Sequence, residues 1–138
     1  MAENDIYNNK KFYERNINSI KTLHEPTNNY YCKNKDNIKY FNKLVRGFEL
    51  KDLSFIRRNR LFNLLKLISF YVKTDFNKAN GKQQEDLILV IREKTKDSQL
   101  LKTSSDVKCL GKMLFGEDNL PQLFNINLKA HSSRQKAR

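Results

Sequence analysis

The 138 residues are enough for one domain with a modest core, and nine Phe and six Tyr stand in for the missing Trp. No run of 18 apolar residues exists and no secretory h-region is read at the start, so the sequence predicts neither a membrane-spanning helix nor a leader. Cys32 and Cys109 form no CxxC or metal-type cluster, so they supply no disulfide argument and suit a reducing compartment as two ordinary thiols.

The formal charge is +12, from 27 Lys and Arg against 15 Asp and Glu. Residues 1–35 hold six bases and four acids, residues 36–116 hold 17 and nine, and residues 117–138 hold four and two. The excess therefore belongs mainly to the middle of the chain rather than to a detachable tail. A nucleic acid is the first partner such a balance points to and an anionic membrane the second; solubility alone also accounts for it.

In chain order, residues 5–23 place Ile6, Phe12 or Tyr13, Ile17, Ile20 and Leu23 at loosely helical spacing, and Pro26 ends the pattern. A rich supply of Asn lowers helix propensity here, so a short amphipathic helix or a partly disordered extension is expected over 1–35. Asp36 is a candidate N-cap for a helix from Asn37 to Arg46, with Ile38, Phe41, Leu44 and Val45 inward and Gly47 as its terminator.

Ser54 then caps a long helix that runs to Val72, with Leu53 as a staple before it. Leu61, Leu64 or Leu65, Ile68 and Tyr71 or Val72 form its spine, while Asn59, Asn63 and Lys66 mark a narrow polar side. So wide an apolar arc predicts a central helix covered by several neighbours. After a linker, Thr74 to Gly81, a helix is expected from Gln83 to Lys94. Its Glu85 and Asp86 lie early, Arg92 and Lys94 lie late, and Leu87, Val90 and Ile91 face inward.

A last helix is predicted from Thr103 to Phe115, with Val107, Leu110 and Leu114 inward, Met113 as a further candidate for that side, and Gly116 after it. Leu120, Leu123, Phe124, Ile126 and Leu128 suit a short packing helix or turn, and residues 130–138 read as a frayed end or linker. The pattern is all-α. It divides into an extension (1–35), a core helical domain (36–116) and a packing segment with linker (117–138).

Catalytic arrangements are scarce. The sequence contains no Gly-rich phosphate loop, no HExxH and no paired Cys or His set with metal-ligand spacing, so no metal and no cofactor is expected. Glu85 and Asp86 are neighbours on a helix and do not face each other, and His24 reads as a surface residue beside a turn. The positive groups carry more information, because a helix N-terminus offers unsatisfied N–H groups and partial positive charge to phosphate.

Arg57, Arg58 and Arg60 in one helix, and Lys102, Thr103, Ser104 and Ser105 at the start of another, reinforce two such sites. Lys66, Lys108 and Lys112 join them as candidate DNA contacts, with Lys39 and Lys43 as possible additional ones. Arg reads guanine bidentately, whereas Lys and hydroxyl groups often position the backbone. Arg58 lies nearer the side that must approach the core.

Three ordered stretches carry a resemblance: NKDNIKYFNKLVRGFELKDLSFIRRNRLFNLLKLISFYV (34–72), KTDFNKANGKQQEDLILVI (73–91) and LKTSSDVKCLGKMLFG (101–116). Residues 34–72 resemble a helix end, a Leu-Ser and a long helix. Residues 73–91 resemble an Asp-Phe linker and acidic helix start, carried by Asp75, Phe76, Ala79, Glu85, Asp86 and Leu87. Residues 101–116 resemble a closing helix, with Thr103, Asp106, Leu110 and Phe115 at family-like positions, followed by the Pro-containing NLPQLFNINLK.

Together they resemble the N-terminal core-binding domain of tyrosine recombinases, the SAM-like or phage-integrase N-terminal domain, in its archaeal integrase branch. The resemblance implies a small orthogonal bundle of four main helices with an added N-terminal helix. Such a domain binds double-stranded DNA at a recombination core site, beside a separate C-terminal catalytic domain of the same parent. It carries Arg57, Arg60, Thr103, Ser104 and Lys108 over as contacts. It also implies a non-catalytic fragment, monomeric alone and oligomeric in the intact recombinase on DNA. The setting it implies is the cytoplasm or nucleoid of a prokaryotic, archaeal cell, with a virus or integrated element as possible source.

His131-Ser-Ser-Arg134 has the spacing of the family's His-x-x-Arg, but no Arg or Lys motif precedes it and no Tyr motif follows. It is read as coincidence, and the chain is expected to bind DNA without cutting it. The alternative is a non-enzymatic helical interaction or recombination accessory module, with the apolar C-terminal segment as its docking element.

Overall fold

The computed structural model describes residues 8–27, 29–126 and 128. Among them are five α-helices and no β-strand: α1 (Asn9–Ser19), α2 (Ile38–Lys51), α3 (Phe55–Tyr71), α4 (Gly81–Lys94) and α5 (Leu100–Phe115), joined by short 3₁₀ turns. The all-α expectation agrees with this. Ile6 and the tail containing His131 to Arg134 lie outside the described residues.

The chain separates into two compact units, Met1–Lys73 and Thr74–Arg138, a different division from the expected 1–35, 36–116 and 117–138. The reason lies in what the flanking segments bury. Tyr13, Ile20 and Leu23 are core residues of the first unit, and Leu123, Phe124, Ile126 and Leu128 are buried in the second.

In the first unit Phe41, Leu44 and Phe48 recur along α2, and Leu61, Phe62, Leu65 and Ile68 along α3, at the helical period; all are fully buried. Burying each such side chain stabilises the fold by roughly 1.5–3 kcal/mol before entropy is counted. Phe41 meets Phe62 edge to face at 5.3 Å. Tyr13 of α1 reaches Phe48 at 6.1 Å and Phe55 at 5.6 Å, which closes α1 over the start of α3. Phe12, the alternative inward residue, is 48% exposed.

Local chemistry sets the helix ends, not always where expected. A 3₁₀ turn, Lys35–Asn37, leads into α2, and Asn34 rather than Asp36 caps it by accepting from the Asp36 N–H at 2.9 Å. The helix continues through Gly47 because Phe48, one residue on, is fully buried. It stops at Asp52, which takes the left-handed conformation (φ 50°) that Asp tolerates better than most residues, with the Leu53 N–H closing on the Phe48 carbonyl. Ser54 caps α3 as expected, its Oγ accepting from the Arg57 N–H at 3.3 Å.

In the second unit, the expected linker holds a 3₁₀ turn, Phe76–Lys78, whose Phe76 is fully buried edge to face with Phe124 at 5.7 Å. Asn80 and Gln83 form a capping box, so α4 starts at Gly81, before the expected Gln83. The buried Leu100 similarly draws the start of α5 back from Thr103, behind a 3₁₀ turn at Asp97–Gln99. Gly111 lets the C-terminal segment close on α5, since a Cβ there would stand 2.5 Å from the Phe124 Cβ.

Candidate nucleic-acid interface

At the start of α3, Arg57 is exposed and Arg60 half-buried. Three residues apart, they lie about 60° from each other around the helix, so one surface presents both, beside the N–H groups of the capped first turn. Phe55, Ile56 and Arg58 share that first turn with Arg57, and no carboxylate lies in it. The arrangement can hold a phosphate or another polyanion.

Arg58 does something else. It is 7% exposed, its guanidinium lies 5.0 Å from the Tyr13 ring centre and 4.9 Å from that of Phe55, and its Nε–H donates to the Leu53 carbonyl at 2.7 Å. Asp52 approaches it at 3.7 Å from a fully exposed position, where water screens the pair. The cation also opposes, without reversing, the rise in the Tyr13 phenol pKa that burial causes. Arg58 thus locks α1 to α3 and is withdrawn from the set of DNA contacts.

Lys66 is half-buried, and burial lowers its pKa. A partly desolvated ammonium is a poorer surface contact than Arg57, and Lys66 lies more than two turns along α3 from the capped start. Asn59 also leaves the expected polar face: it donates to the Asn9 carbonyl at 2.8 Å and accepts from Asn16 at 3.1 Å.

On α5 the candidates divide by helical phase. Leu100, Ser104, Val107, Leu110, Gly111 and Leu114 are buried, and Lys102, Ser105, Lys108 and Lys112 fall on the opposite arc. Lys102, Ser105 and Lys112 are exposed, whereas Thr103 and Lys108 are half-buried. Lys112 lies 3.7 Å from Glu117, an exposed pair of small energetic weight. Because α5 starts at Leu100, Lys102 and Thr103 lie in its first turn, and Ser104 and Ser105 lie beyond it.

Ser104 is 3% exposed; its Oγ donates to the Ile126 carbonyl at 3.0 Å and accepts from the Leu128 N–H at 3.1 Å. It is a buried tie for the C-terminal segment rather than an exposed hydroxyl. Leu123, Phe124, Ile126 and Leu128 of the same segment are buried within the chain. Lys39 and Lys43 are both exposed on α2, one turn apart, with the Lys39 ammonium 5.1 Å from the Tyr40 ring centre.

One group of residues escaped the sequence reading. Tyr30 and Tyr31 from the loop before α2 gather with Phe70 and Tyr71 at the end of α3, and the Lys33 ammonium lies over two of the rings. The adjacent pairs YY and FY were the available signal, but nothing local shows that they meet. His24, expected at the surface, is half-buried, with an Nδ1 that lacks a hydrogen-bond partner.

Among the described residues no group of three or more His, Cys, Asp or Glu could hold a metal ion, and no helix is long and apolar enough to cross a membrane. No family model matches the chain, and no curated protein or solved structure matches it.

Proposed function

We propose that the chain is a non-catalytic, double-stranded DNA-binding module that grips a recombination core site as the N-terminal part of a tyrosine-type site-specific integrase. The observation that supports it most is the pairing of Arg57, in the capped first turn of α3, with Arg60, one turn on along the same surface, in a chain of net charge +12. The basic arc of α5, Lys102, Ser105, Lys108 and Lys112, is the second contact element; the half-buried Thr103 shares the helical phase of Val107 and Leu110 and stands apart from it. Lys39 and Lys43 extend the contacts on α2.

In this reading Arg57 and Arg60 reach base edges or flanking phosphates, and the lysines set position along the backbone. The SAM-like fold, the C-terminal catalytic partner domain and assembly on DNA in a prokaryotic, archaeal nucleoid follow from the resemblance. The nucleophile belongs to that partner domain, so this chain holds DNA without breaking it.

The test is an NMR titration with duplexes selected from a random-sequence pool. Shifts at Arg57, Arg60, Lys102 and Lys108 are expected. Binding that leaves these signals unchanged would reject the interface, and covalent capture of a nicked duplex by this chain would reject the non-catalytic assignment.

A further inference from the structure

The aromatic cluster of the first unit has no part in the duplex contacts above, and its construction is unlike a core. Tyr30 stands 5.4 Å from Phe70 and 6.4 Å from Tyr71, centre to centre, and Tyr31 stands 5.6 Å from Phe70. Tyr30 is 39% exposed, and Tyr31, Phe70 and Tyr71 are half-buried, so the rings crowd together at the surface. The Lys33 ammonium lies 4.8 Å and 4.6 Å from the ring centres of Tyr31 and Phe70. Lys35 and Lys73, both exposed, flank the group in sequence.

The loop that carries these rings is held firmly. The Cys32 N–H donates to the Leu23 carbonyl at 2.6 Å, the Lys33 N–H to Ser69 at 3.2 Å, and the Asn34 side chain to the Lys73 carbonyl at 3.2 Å. Three non-glycine residues among those described have positive φ: Asn8, Tyr30 and Asp52. Asn and Asp tolerate that conformation, whereas a bulky aromatic residue is an outlier there (φ 51°). The fold thus holds Tyr30 in a disfavoured backbone state while leaving much of its side chain in water. Strain of this kind points toward function.

We infer that the cluster of Tyr30, Tyr31, Phe70 and Tyr71 with Lys33 is a stacking site for unpaired bases of single-stranded nucleic acid. Tyr30 supplies the exposed π surface, and Lys33 with Lys73 meets the adjoining phosphates. Stacking on aromatic rings beside cations is the mode by which single strands are bound without sequence readout, and the chain's charge of +12 complements such a ligand. The site goes beyond duplex binding and involves neither Arg57 nor Arg60.

The experiment measures binding of labelled oligothymidylate and oligouridylate to the full chain by fluorescence anisotropy, beside a random-sequence duplex. The first two arms distinguish DNA from RNA as the source of the bases. With no Trp in the chain, quenching of tyrosine emission reports stacking directly. Tyr30→Asn is the decisive variant, because Asn accepts positive φ and removes the ring without opposing the fold.

Tyr30→Asn should weaken oligonucleotide binding about tenfold, the effect of losing one stacked base, and leave duplex affinity unchanged. Tyr30→Phe should bind as the parent does, and Lys33→Gln should weaken binding and reduce its salt dependence. The inference is overturned if the folded parent binds neither oligonucleotide, or if Tyr30→Asn, shown folded by circular dichroism, binds both unchanged. Arg57→Gln with Arg60→Gln separates the two sites: loss of duplex binding with oligonucleotide binding retained supports two surfaces. Equal loss of both overturns the separate platform.

Discussion

Asn59 of α3 donates its side-chain N–H to the backbone carbonyl of Asn9, 2.8 Å away and 50 residues earlier in the chain. The same amide accepts from Asn16, so one side chain ties α1 at two points, two turns apart, to the stretch of α3 that also presents Arg57 and Arg60. Replacing Asn59 with Ala leaves a partly buried carbonyl and amide without these partners. A loss of about 1–2 kcal/mol in urea unfolding is expected, with faster proteolysis at α1. An unchanged midpoint and digestion pattern would show that the bonds carry no net stability.

Arg57 and Arg58 are adjacent, and opposite phenotypes are expected of them. Arg58→Met removes a guanidinium stacked on Tyr13 and Phe55 and orphans the Leu53 carbonyl, so unfolding should become easier by roughly 1–3 kcal/mol. Arg57→Gln should leave stability within about 0.5 kcal/mol and reduce duplex affinity, lowering the salt slope by about one phosphate's worth if its partner is the backbone. Thermal melts and salt-dependent binding isotherms on the two variants check both halves.

Ser104→Ala tests whether that hydroxyl is structural. Removing it strips a partner from the Ile126 carbonyl and from the Leu128 N–H, both in a buried setting, at a cost of about 1–3 kcal/mol. Any change in DNA affinity should vanish once the folded fraction is corrected. A specific affinity loss at full folding would return Ser104 to the interface.

Gly111→Ala places a methyl group against Phe124 and Leu120, and the second unit must shift to admit it. Overpacking of this kind costs typically about 1–3 kcal/mol. Hydrogen exchange should show the loss in α5 and in the residues of the Gln122–Phe124 turn.

A pH dependence follows from Cys32. Its thiol is buried, and that burial raises its pKa above the ordinary 9.0, despite hydrogen bonding that opposes the shift. A raised folded-state pKa contributes stability that is fully present below the unfolded value and is lost as pH rises through the folded one. Unfolding free energy should therefore fall as the solution is taken alkaline from about pH 9, and Cys32→Ala should flatten that decline. The Tyr13 phenol, also raised by burial, adds a loss of the same sign from about pH 10.

Much of the fold could be read from the sequence wherever the signal was local. Ser54 caps α3 because its hydroxyl reaches only three residues ahead, and Leu61, Leu65 and Ile68 are inward because the helical period puts them there. Gly47 misled because a glycine weakens a helix without ending it when the next residue, Phe48, has a core to enter. The start of α5 moved for the same reason, through Leu100.

The candidate site was readable in part. The phase of α3 already set Arg58 apart from Arg57 and Arg60, but its stacking on Tyr13 depended on α1 returning across the helix. Ser104 resembled a surface hydroxyl until a segment more than 20 residues later supplied its partners. The Tyr30 platform needed the loop to meet the far end of α3, a contact between residues 40 positions apart that no periodicity announces.

The boundary between the two compact units falls at Lys73 and Thr74, both exposed, after α3 has ended and before the turn at Phe76 begins. A flexible insert there would lengthen the tether between the arginines of α3 and the lysines of α5 without cutting a helix. If both grip one duplex, each acts as a local reservoir for the other's binding. Affinity should then decline gradually with tether length, as effective concentration does, and each half alone should bind far more weakly than the pair.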